Sequence, residues 1–374
     1  MKIKRCLYSV FMFLFILAVL VLWIYEIAIF RQGNEPKTEA KKTTFEELNS
    51  LWSMNMTLNR YPVLCQSFRD YSNEMQKGTY VIPGLKAASS MRAGTEDICT
   101  NMVPQSVCVV EDYLLIGAYC HTGSHYSVIY VLDKNTHEYI KTVVLPGRHH
   151  VGGIAYDDEH KMIWVSCYNK RAQANAFSLQ HLEWYNFDIY PRPIKFQYET
   201  NIYTVPKDSL MTYYNGYLYI GYFQVDDNSI IQKFKIDKNG DLLKINSARY
   251  QQYYDGTLPL TIAYPANVAT VSSRIQGLAF YDHKMYISKS YGITNSEILV
   301  YRMKPDSQRD QSYREKNAIN RIVLPQKLEQ IMIDGEEMYS IYESGSYSYR
   351  SYSYPVIDRV IKMKMDTVNR YGKR

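Results

Sequence analysis

A repeating unit of three short apolar strands constrains the fold of this chain more than any other feature of its sequence. Each unit opens with polar residues, continues through an apolar strand and a tight turn into an aromatic-rich strand, and ends with a third alternating strand. Turn pairs such as Asn215-Gly216 and Asp334-Gly335 join the first two strands and suit hairpins. Five copies begin near residues 105, 150, 208, 275 and 328. Antiparallel sheets repeated at this spacing are typical of radial all-β architectures.

A fourth strand accompanies the units, and its displacement indicates how the fold closes. Segments 139–147 and 321–325 follow the first and fourth units, whereas a similar segment, residues 79–84, precedes the first unit. If this early strand completes the last sheet, the ring closes and no sheet edge is left open. The sequence therefore predicts an all-β, five-bladed β-propeller over residues 78–366. A sixth blade stays open as an alternative if the insertion 237–275 hides a degenerate unit.

The N-terminus has the pattern of a membrane anchor. Basic residues precede a nearly unbroken apolar run from Cys6 to Tyr25. About 20 such residues span a bilayer as a helix, and the basic flank favours a cytoplasmic N-terminus. No small-residue cleavage motif follows the run, which favours an uncleaved anchor. A cleaved signal peptide stays open as the alternative. The expected organisation is a cytoplasmic tip and transmembrane signal anchor (1–30), a solvated stalk with a short helix after Thr44 (31–77), the propeller (78–366) and a tail (367–374).

Composition and motifs argue against several classes of function. The net charge of +6 is mild, and no run of Lys and Arg interleaved with aromatic residues suggests a nucleic-acid groove. No nucleotide-binding loop or nucleophile elbow occurs. The spacing of the cysteines fits no zinc pattern, and His121 and His125 lie in a loop without a carboxylate cluster, so neither a metal nor another cofactor is expected. A disulfide such as Cys65–Cys99 stays open.

The first strand of every propeller blade lines the central channel, so the residues that open these strands converge at one mouth. Those residues are polar here: Gln105, His150, Asp208 with Ser209, Gln276, and Glu329 with Gln330. Convergent polar groups make the mouth a ligand-binding hypothesis. The alternative is a ring that satisfies its own hydrogen bonds. Tyr119 and Tyr291, at strand ends, could stack on a ligand, although blade packing also favours tyrosine.

Catalytic candidates occur at the same mouth. Glu343 ends the second strand of the fifth unit, and with Asp208 or Glu329 opposite it could form an acid/base pair of the kind that glycosidases use. His150 is expected to titrate near neutral pH and to shuttle a proton. His149 is adjacent in a strand and therefore points to the opposite face. The catalytic candidates are thus Glu343, Asp208 and His150.

The repeating units resemble the generic β-propeller repeats of the YVTN/NHL type. A narrower resemblance is to the five-bladed plant-type glutaminyl cyclases. Gln276-Gly277-Leu278 and Tyr291-Gly292 carry it within the fourth unit, whereas Tyr342-Glu343-Ser344 occurs in the fifth unit. The first resemblance implies a fold and leaves the function open. The second implies five blades and makes a cyclase one of the alternatives.

These features leave three functions open. The first is a membrane-tethered, extracytoplasmic propeller that binds an envelope-associated carbohydrate or peptide at its axial mouth. The second is a hydrolase or glutaminyl-cyclase-like enzyme that uses Glu343, Asp208 and His150. The third is a structural or protein-interaction module whose partner is an envelope protein. In each case the expected location is the cell membrane, with a single pass and the propeller outside the cytoplasm.

Overall fold

A computed structural model gives the architecture of most of the chain. The described residues are 12–20, 36–71, 74–168, 171–207, 209–254, 256–307 and 311–372. Residues 12–20 are helical, and within the described ranges no helix is long and apolar enough to cross a membrane. The rest of the expected anchor, residues 1–11 and 21–30, lies outside the described residues, and so does the site candidate Asp208. The anchor therefore stays a prediction.

Strands dominate the fold. The chain first forms β1 (Thr79–Val81) and a hairpin of β2 (Ala88–Arg92) and β3 (Thr95–Cys99). Blade 1 contains β4 (Met102–Val110), β5 (Tyr113–Cys120), β6 (Val128–Asp133) and β7 (Tyr139–Val144). Blade 2 contains β8 (Ile154–Asp157), β9 (Met162–Tyr168), β10 (Ala172–Ser178) and β11 (Tyr198–Asn201). Blade 3 begins with β12 (Leu210–Tyr214), β13 (Tyr217–Gly221) and β14 (Ser229–Lys235).

The remaining strands complete blade 3 and form blades 4 and 5. A small separate sheet pairs β15 (Lys244–Asn246) with β16 (Thr261–Ala263), and β17 (Asn267–Val271) then joins blade 3. Blade 4 contains β18 (Ile275–Tyr281), β19 (Lys284–Lys289), β20 (Ser296–Arg302) and β22 (Asn320–Leu324). β21 (Gln311–Tyr313) lies between β20 and β22 in the sequence but joins the sheet of blade 3. Blade 5 contains β23 (Leu328–Asp334), β24 (Glu337–Tyr342) and β25 (Arg359–Lys364). The protein is a five-bladed β-propeller.

Short helices lie before, between and after the blade strands. Besides the helical residues 12–20, the described part of the chain has α-helices at Leu51–Leu58, Pro62–Asp70, Leu179–Trp184, Tyr347–Arg350 and Met365–Arg370. The 3₁₀-helices are Met75–Gly78, Ala248–Tyr253, Glu315–Asn317 and Glu343–Gly345. The short helix expected after Thr44 begins later, because Ser50 caps the first helix by accepting a hydrogen bond from the Ser53 N–H at 3.2 Å.

The N-terminal strand completes the last blade. β1 pairs antiparallel with β25, with Thr79 opposite Ile361 and Val81 opposite Arg359, and it forms the outer strand of blade 5. Tyr80 is fully buried in this strand. Its hydroxyl donates to the Lys134 carbonyl at 2.7 Å in blade 1. The strand therefore ties blade 5 to its neighbour as well as covering the edge of β25.

The insertion 237–275 does not add a sixth blade. Its residues form the β15–β16 sheet and the fourth strand of blade 3, β17. β21, from the connection between β20 and β22, pairs in parallel with β17. Blade 3 consequently has five strands, the last of which is contributed by the blade 4 sequence.

The segment expected to be a solvated stalk is packed on the propeller in its described part. Met54, Leu58 and Phe68 are buried in the core cluster that blades 4 and 5 share. The backbone N–H groups of Leu48 and Asn49 donate to the Asp358 carboxylate at 2.6 and 2.8 Å. The expectation of a solvated stalk was wrong. It followed the polar overall composition of the segment, whereas the helices of this segment present apolar residues that pack on the blades. The expected tail, residues 367–374, likewise contributes a helix with Val368 buried.

The hydrophobic core is distributed between the blades. Among the described residues, five clusters of buried side chains each combine residues of two adjacent blades. Val165 of blade 2, for example, packs with Leu115 of blade 1, and Trp164 of blade 2 packs with Ile220 of blade 3. Strand alternation explains this arrangement, because successive residues of one strand point to the two neighbouring blades. The interfaces fix the five inner strands around a common axis.

Candidate functional site at the axial mouth

β-Bulges aim polar side chains at one mouth of the channel. Shifts in pairing register leave Gln105 in β4 and Gln276 in β18 as extra residues, and in β23 they place Glu329 and Gln330 together opposite one residue of β24. A bulge bends the strand locally and redirects the side chain of the extra residue. Three of the five inner strands therefore present bulge residues near the same end of the axis.

Two buried carboxyl groups and one lysine form the centre of this mouth. Glu329 and Glu343 are 4% and 9% exposed, and Lys327 is also buried. Lys327 Nζ lies 3.3 Å from Glu343 Oε1. Gln105 Nε2 donates to Glu343 Oε2 at 3.1 Å, and Gln276 Nε2 donates to Glu329 Oε1 at 3.3 Å. Two glutamates and one lysine balance in charge when one of the two carboxyl groups keeps its proton.

The electrostatics of the pair agree with a retained proton. Burial, reinforced by the charge of Glu343 and opposed by Lys327, raises the pKa of Glu329 well above its ordinary value. Burial also raises the pKa of Glu343, against the opposing effects of Lys327 and Gln105. Withdrawal from water disfavours the charged form of a carboxyl group, and a neighbouring carboxylate adds to the effect. Glu329 is therefore the group that holds the proton, and Glu343 is the partner of Lys327.

A pH-dependent stability follows from the raised pKa of Glu329. Its proton is bound more tightly in the folded chain, so its contribution is complete below the unfolded-state pKa of about 4.3 and is lost as pH rises through the folded pKa. Glu329→Gln mimics the protonated group. We expect the variant to be as stable as the wild type near pH 4 and more stable at pH 8, with a higher melting temperature there. The gain in the free energy of unfolding is about 1.4 kcal/mol for each unit by which the pKa is raised, counted up to the pH of the measurement.

Thermal unfolding across this pH range measures the effect. Glu159→Gln is the matched control, because Glu159 is exposed, and its melting temperature should follow that of the wild type at every pH. A stability difference between Glu329→Gln and the wild type that is the same at pH 4 and pH 8 would show that folding does not raise the pKa of Glu329.

Aromatic side chains surround the charged centre. Tyr119 stacks on His150 with ring centroids 4.3 Å apart, and His121 meets Tyr349 edge to face at 5.5 Å. Lys327 Nζ lies 4.2 Å from the centroid of the Tyr349 ring, a cation–π arrangement. All four of the aromatic residues are partly exposed. We call these side chains, together with Tyr352, the aromatic rim.

His150 belongs to this rim but does not titrate as expected. Withdrawal from solvent, followed by the positive charge of Lys207 and by His121, lowers the pKa of His150 to about 4. The expectation that it titrates near neutral pH was wrong, because sequence could not show the stacking ring of Tyr119 above it. The imidazole is neutral at pH 7 and acts as a hydrogen-bonding and stacking group there.

Gln330 lies in the channel and its amide is fully used. The side-chain Oε1 accepts from the Val107 and Ile154 N–H groups at 3.3 and 3.1 Å, and Nε2 donates to the Ile154 and Met211 carbonyls at 2.8 and 3.2 Å. Gln330 thus joins the inner strands of blades 1, 2 and 3 to its own blade 5. These bonds occupy every hydrogen-bonding position of the amide. Gln330 was expected to bind a ligand, but its amide instead holds the inner strands together.

The other sequence candidates lie at different points of the same face. Ser209 is partly exposed, and its N–H donates to Gly221 O at 2.9 Å within blade 3. Tyr291 is 47% exposed, and its ring lies 4.9 Å from the Arg274 guanidinium and 6.1 Å from Phe223. These contacts place Tyr291 among residues of blades 3 and 4 that border the mouth. Asp208 is outside the described residues, so the expected pairing of Glu343 with Asp208 stays untested.

Sequence reasoning missed Lys327, His121, Tyr349 and Tyr352. Lys327 directly precedes β23 and has a positive φ of 68°, as Arg274 does before β18 with a φ of 64°. Left-handed backbone is uncommon for residues other than glycine and often marks functional positions. Lys327 and Arg274 each directly precede an inner strand, and this shared position could have identified Lys327 from the sequence. Tyr349 reaches the mouth from a helix that follows blade 5's second strand, and no local pattern indicates this.

The opposite end of the axis holds a separate cavity of about 320 Å³. Tyr156, Thr212, Asn215 and Asp334 contribute to its wall, and Gln330 also lines it. Gln330 therefore lies between this cavity and the carboxyl groups of the axial mouth. The fold and the mouth together define a five-bladed propeller with a charged, aromatic-rimmed axial site.

Comparisons with known proteins show only distant likeness. No protein-family model matches the chain, and no curated protein matches it. Solved structures that resemble it include U3-55K, with a TM-score of 0.41, 8% identity, and coverage of 70% of this chain and 95% of that one. The nidogen/laminin complex gives a TM-score of 0.37 at 12% identity, covering 71% and 84%. Hydrazine synthase of Kuenenia stuttgartiensis gives 0.35 at 8% identity, covering 64% of this chain and 55% of that one.

This chain thus spans about half the length of the hydrazine synthase chain that it matches. With such TM-scores, the likenesses carry no inference about binding or catalysis. The five-bladed assignment depends on the sheet order of the chain itself.

Proposed function

We propose that the protein is a ligand-binding propeller that holds an envelope-associated carbohydrate or peptide at its axial mouth. One observation carries the proposal: Glu329, Glu343 and Lys327 are gathered beneath a rim of partly exposed aromatic rings. Buried charged groups fix the orientation of a polar ligand, and aromatic faces supply apolar contact area. Sugars and peptides both offer hydroxyl or N–H donors for a carboxylate and apolar faces for tyrosine.

The proposal includes tethering of the propeller to the cell membrane by the N-terminal segment. The apolar run from Cys6 to Tyr25 with its basic flank supports this. The propeller then lies outside the cytoplasm, where an envelope ligand is available. Protease added to intact cells tests the orientation, and a propeller that stays fully protected would contradict it.

An enzyme is the second candidate, and the paired carboxyl groups favour it. Glu329 holds a proton while Glu343 is paired with Lys327, so one acid and one carboxylate occupy the same mouth. Groups with separated protonation states are what general acid–base catalysis requires. A glycoside hydrolase would use them on a sugar, and a glutaminyl-cyclase-like enzyme would use them to move a proton from the α-amine to the departing ammonia.

Binding measurements on the purified protein separate the two candidates. The probes are cell-wall oligosaccharides, envelope peptides and peptides with N-terminal glutamine. For any probe that binds, we expect Glu343→Gln to weaken binding at least about tenfold, a loss of about 1.4 kcal/mol, because the charge that orients the ligand is gone. Mass analysis of the same mixtures detects hydrolysed or cyclised product, which would favour the enzyme.

Tyr349→Ala provides a second variant at the rim, and it should weaken binding to a similar degree. Tyr253→Ala is its matched control, because Tyr253 is 73% exposed and lies in the insertion of blade 3. Unchanged binding in both Glu343→Gln and Tyr349→Ala, with normal binding by the wild type, would place the ligand elsewhere on the propeller.

A further inference from the structure

A second cluster of reactive side chains lies where the β2–β3 hairpin meets blade 1. Cys99 ends β3, Cys120 ends β5, and His125 follows in the loop before β6. Cys120 is next to Tyr119 in the strand, so its side chain points to the opposite face from the aromatic rim. Cys99, Cys120 and His125 are 0%, 3% and 0% exposed. One donor atom from each of them lies within 4.8 Å of the other two.

The spacing of these atoms suits a tetrahedral ion. Zinc–sulfur bonds of about 2.3 Å and zinc–nitrogen bonds of about 2.0–2.1 Å imply a sulfur–nitrogen edge of about 3.5 Å in a tetrahedral site. Cys120 Sγ and His125 Nδ1 are 3.5 Å apart. Thr122 Oγ1 is a further oxygen at 3.1 Å from Cys120 Sγ. Two thiolates and one imidazole are a donor set that zinc prefers.

A carboxylate and a guanidinium lie beside the second ring nitrogen of His125. Its Nε2 lies 3.2 Å from Asp97 Oδ2 and accepts from the Arg92 guanidinium, two nitrogens of which are 3.1 and 2.8 Å away. Arg92 Nε also lies 2.7 Å from Asp97 Oδ2. A histidine that binds a metal usually donates its other ring N–H to a carboxylate, which directs the free nitrogen toward the ion. An ion at Nδ1 would place the proton on Nε2, which would then donate to Asp97 while Arg92 stays paired with Asp97.

Charge agrees with this assignment. Two thiolates neutralise one Zn²⁺, and Arg92 neutralises Asp97, so the cluster carries no net charge when filled. The thiolate is the form that binds metals.

We propose that Cys99, Cys120 and His125 form a zinc site, with water or the Thr122 hydroxyl as the fourth ligand. The site joins β3 of the hairpin to blade 1 and so has a structural role. It also revises the sequence-based expectation that no metal is bound. That expectation considered local spacing, whereas the ligands are brought together by the packing of the hairpin against β5. A disulfide between Cys99 and Cys120, formed by thiol–disulfide exchange with an oxidised low-molecular-weight thiol, is the competing state.

Metal analysis of the full-length protein, purified without chelator under reducing conditions, tests the site. We expect about one zinc ion per chain. Cys120→Ser and His125→Asn should each lower the zinc content at least about tenfold. Cys65→Ser and His181→Asn are matched controls and should keep it, because Cys65 lies on the helix Pro62–Asp70 and His181 is an exposed residue of the helix Leu179–Trp184.

A measurement on the wild type covers the case in which the variants fail to fold. Zinc is removed by a chelator, and Zn²⁺ or Co²⁺ is returned while thiol alkylation is followed by peptide mass analysis. We expect the ion to protect Cys99 and Cys120 from alkylation and the cobalt form to show thiolate-to-metal charge-transfer absorption. The proposal is overturned if the reduced wild type takes up neither ion, and also if it contains a Cys99–Cys120 disulfide that binds no ion after reduction.

Discussion

Gln330→Leu is expected to lower the free energy of unfolding by about 3–5 kcal/mol, because four backbone groups in three other blades lose their partner. Leucine is similar in volume to glutamine, so the cavity contribution is small and the loss comes from buried N–H and C=O groups left unpaired. The effect is large for one side chain because Gln330 joins blades 1, 2 and 3 to blade 5 at the axis. Chemical denaturation of wild type and variant measures it.

Gln276→Leu is the control for this prediction. Gln276 is the same residue type at the bulge of the neighbouring inner strand, but it is partly exposed and has one side-chain hydrogen bond, to Glu329 at 3.3 Å. Its replacement should cost about 0.5–1.5 kcal/mol. Equal losses in the two variants would mean that the four hydrogen bonds of Gln330 contribute no more stability than the single bond of the partly exposed Gln276.

Tyr80→Ala is expected to cost about 3–5 kcal/mol, the range for removing a fully buried aromatic side chain. Tyr80 is 0% exposed, stacks on His137 with centroids 3.8 Å apart, and donates its hydroxyl to Lys134 O. Loss of the ring loosens β1 from blade 1 and from β25 together. We expect the melting temperature to fall and the protein to aggregate near the transition, because the edge of β25 becomes available for pairing with other chains.

Tyr80→Phe separates the contribution of the ring from that of the hydroxyl. It removes the hydroxyl with its bond to Lys134 O and should cost about 1 kcal/mol, with no added aggregation. Tyr253→Ala, at a 73% exposed position, controls for the general loss of a tyrosine. A Tyr80→Ala variant as stable as Tyr253→Ala would show that the Tyr80 ring does not hold β1 in place.

The blade architecture could be predicted from sequence because its determinants are local. Turn pairs such as Asn215-Gly216 and alternating strands recur in each unit, and the displaced segment 79–84 indicated where the missing outer strand would come from. β1 occupies Thr79–Val81 in that segment. The insertion 237–275 was ambiguous because its strands are short, and only their pairing partners assign β17 to blade 3.

The candidate site was predicted in part. Polar residues that open the inner strands identified Gln105, Gln276 and His150, since polarity before an apolar strand is visible in the sequence. The separate roles of Glu329 and Gln330 were not visible, because a bulge sends adjacent side chains to different partners. The neutral state of His150 and the Cys99–Cys120–His125 cluster depend on contacts between segments far apart in sequence.

The pairing of β1 with β25 also determines the order in which the molecule can fold. Blades 1 and 2 are each built from strands that lie close together in the sequence, so they can form as soon as their own residues are available. Blade 5 is completed later, because its outer strand, β1, and its third strand, β25, are separated in the sequence by nearly the whole propeller. Contacts between such distant segments form slowly, since the intervening chain loses much of its conformational freedom when they meet. The edge of β25 is therefore open to pairing with other chains for as long as the ring is open. A binding factor that covers this edge during that time would raise the yield of folded protein without changing its stability.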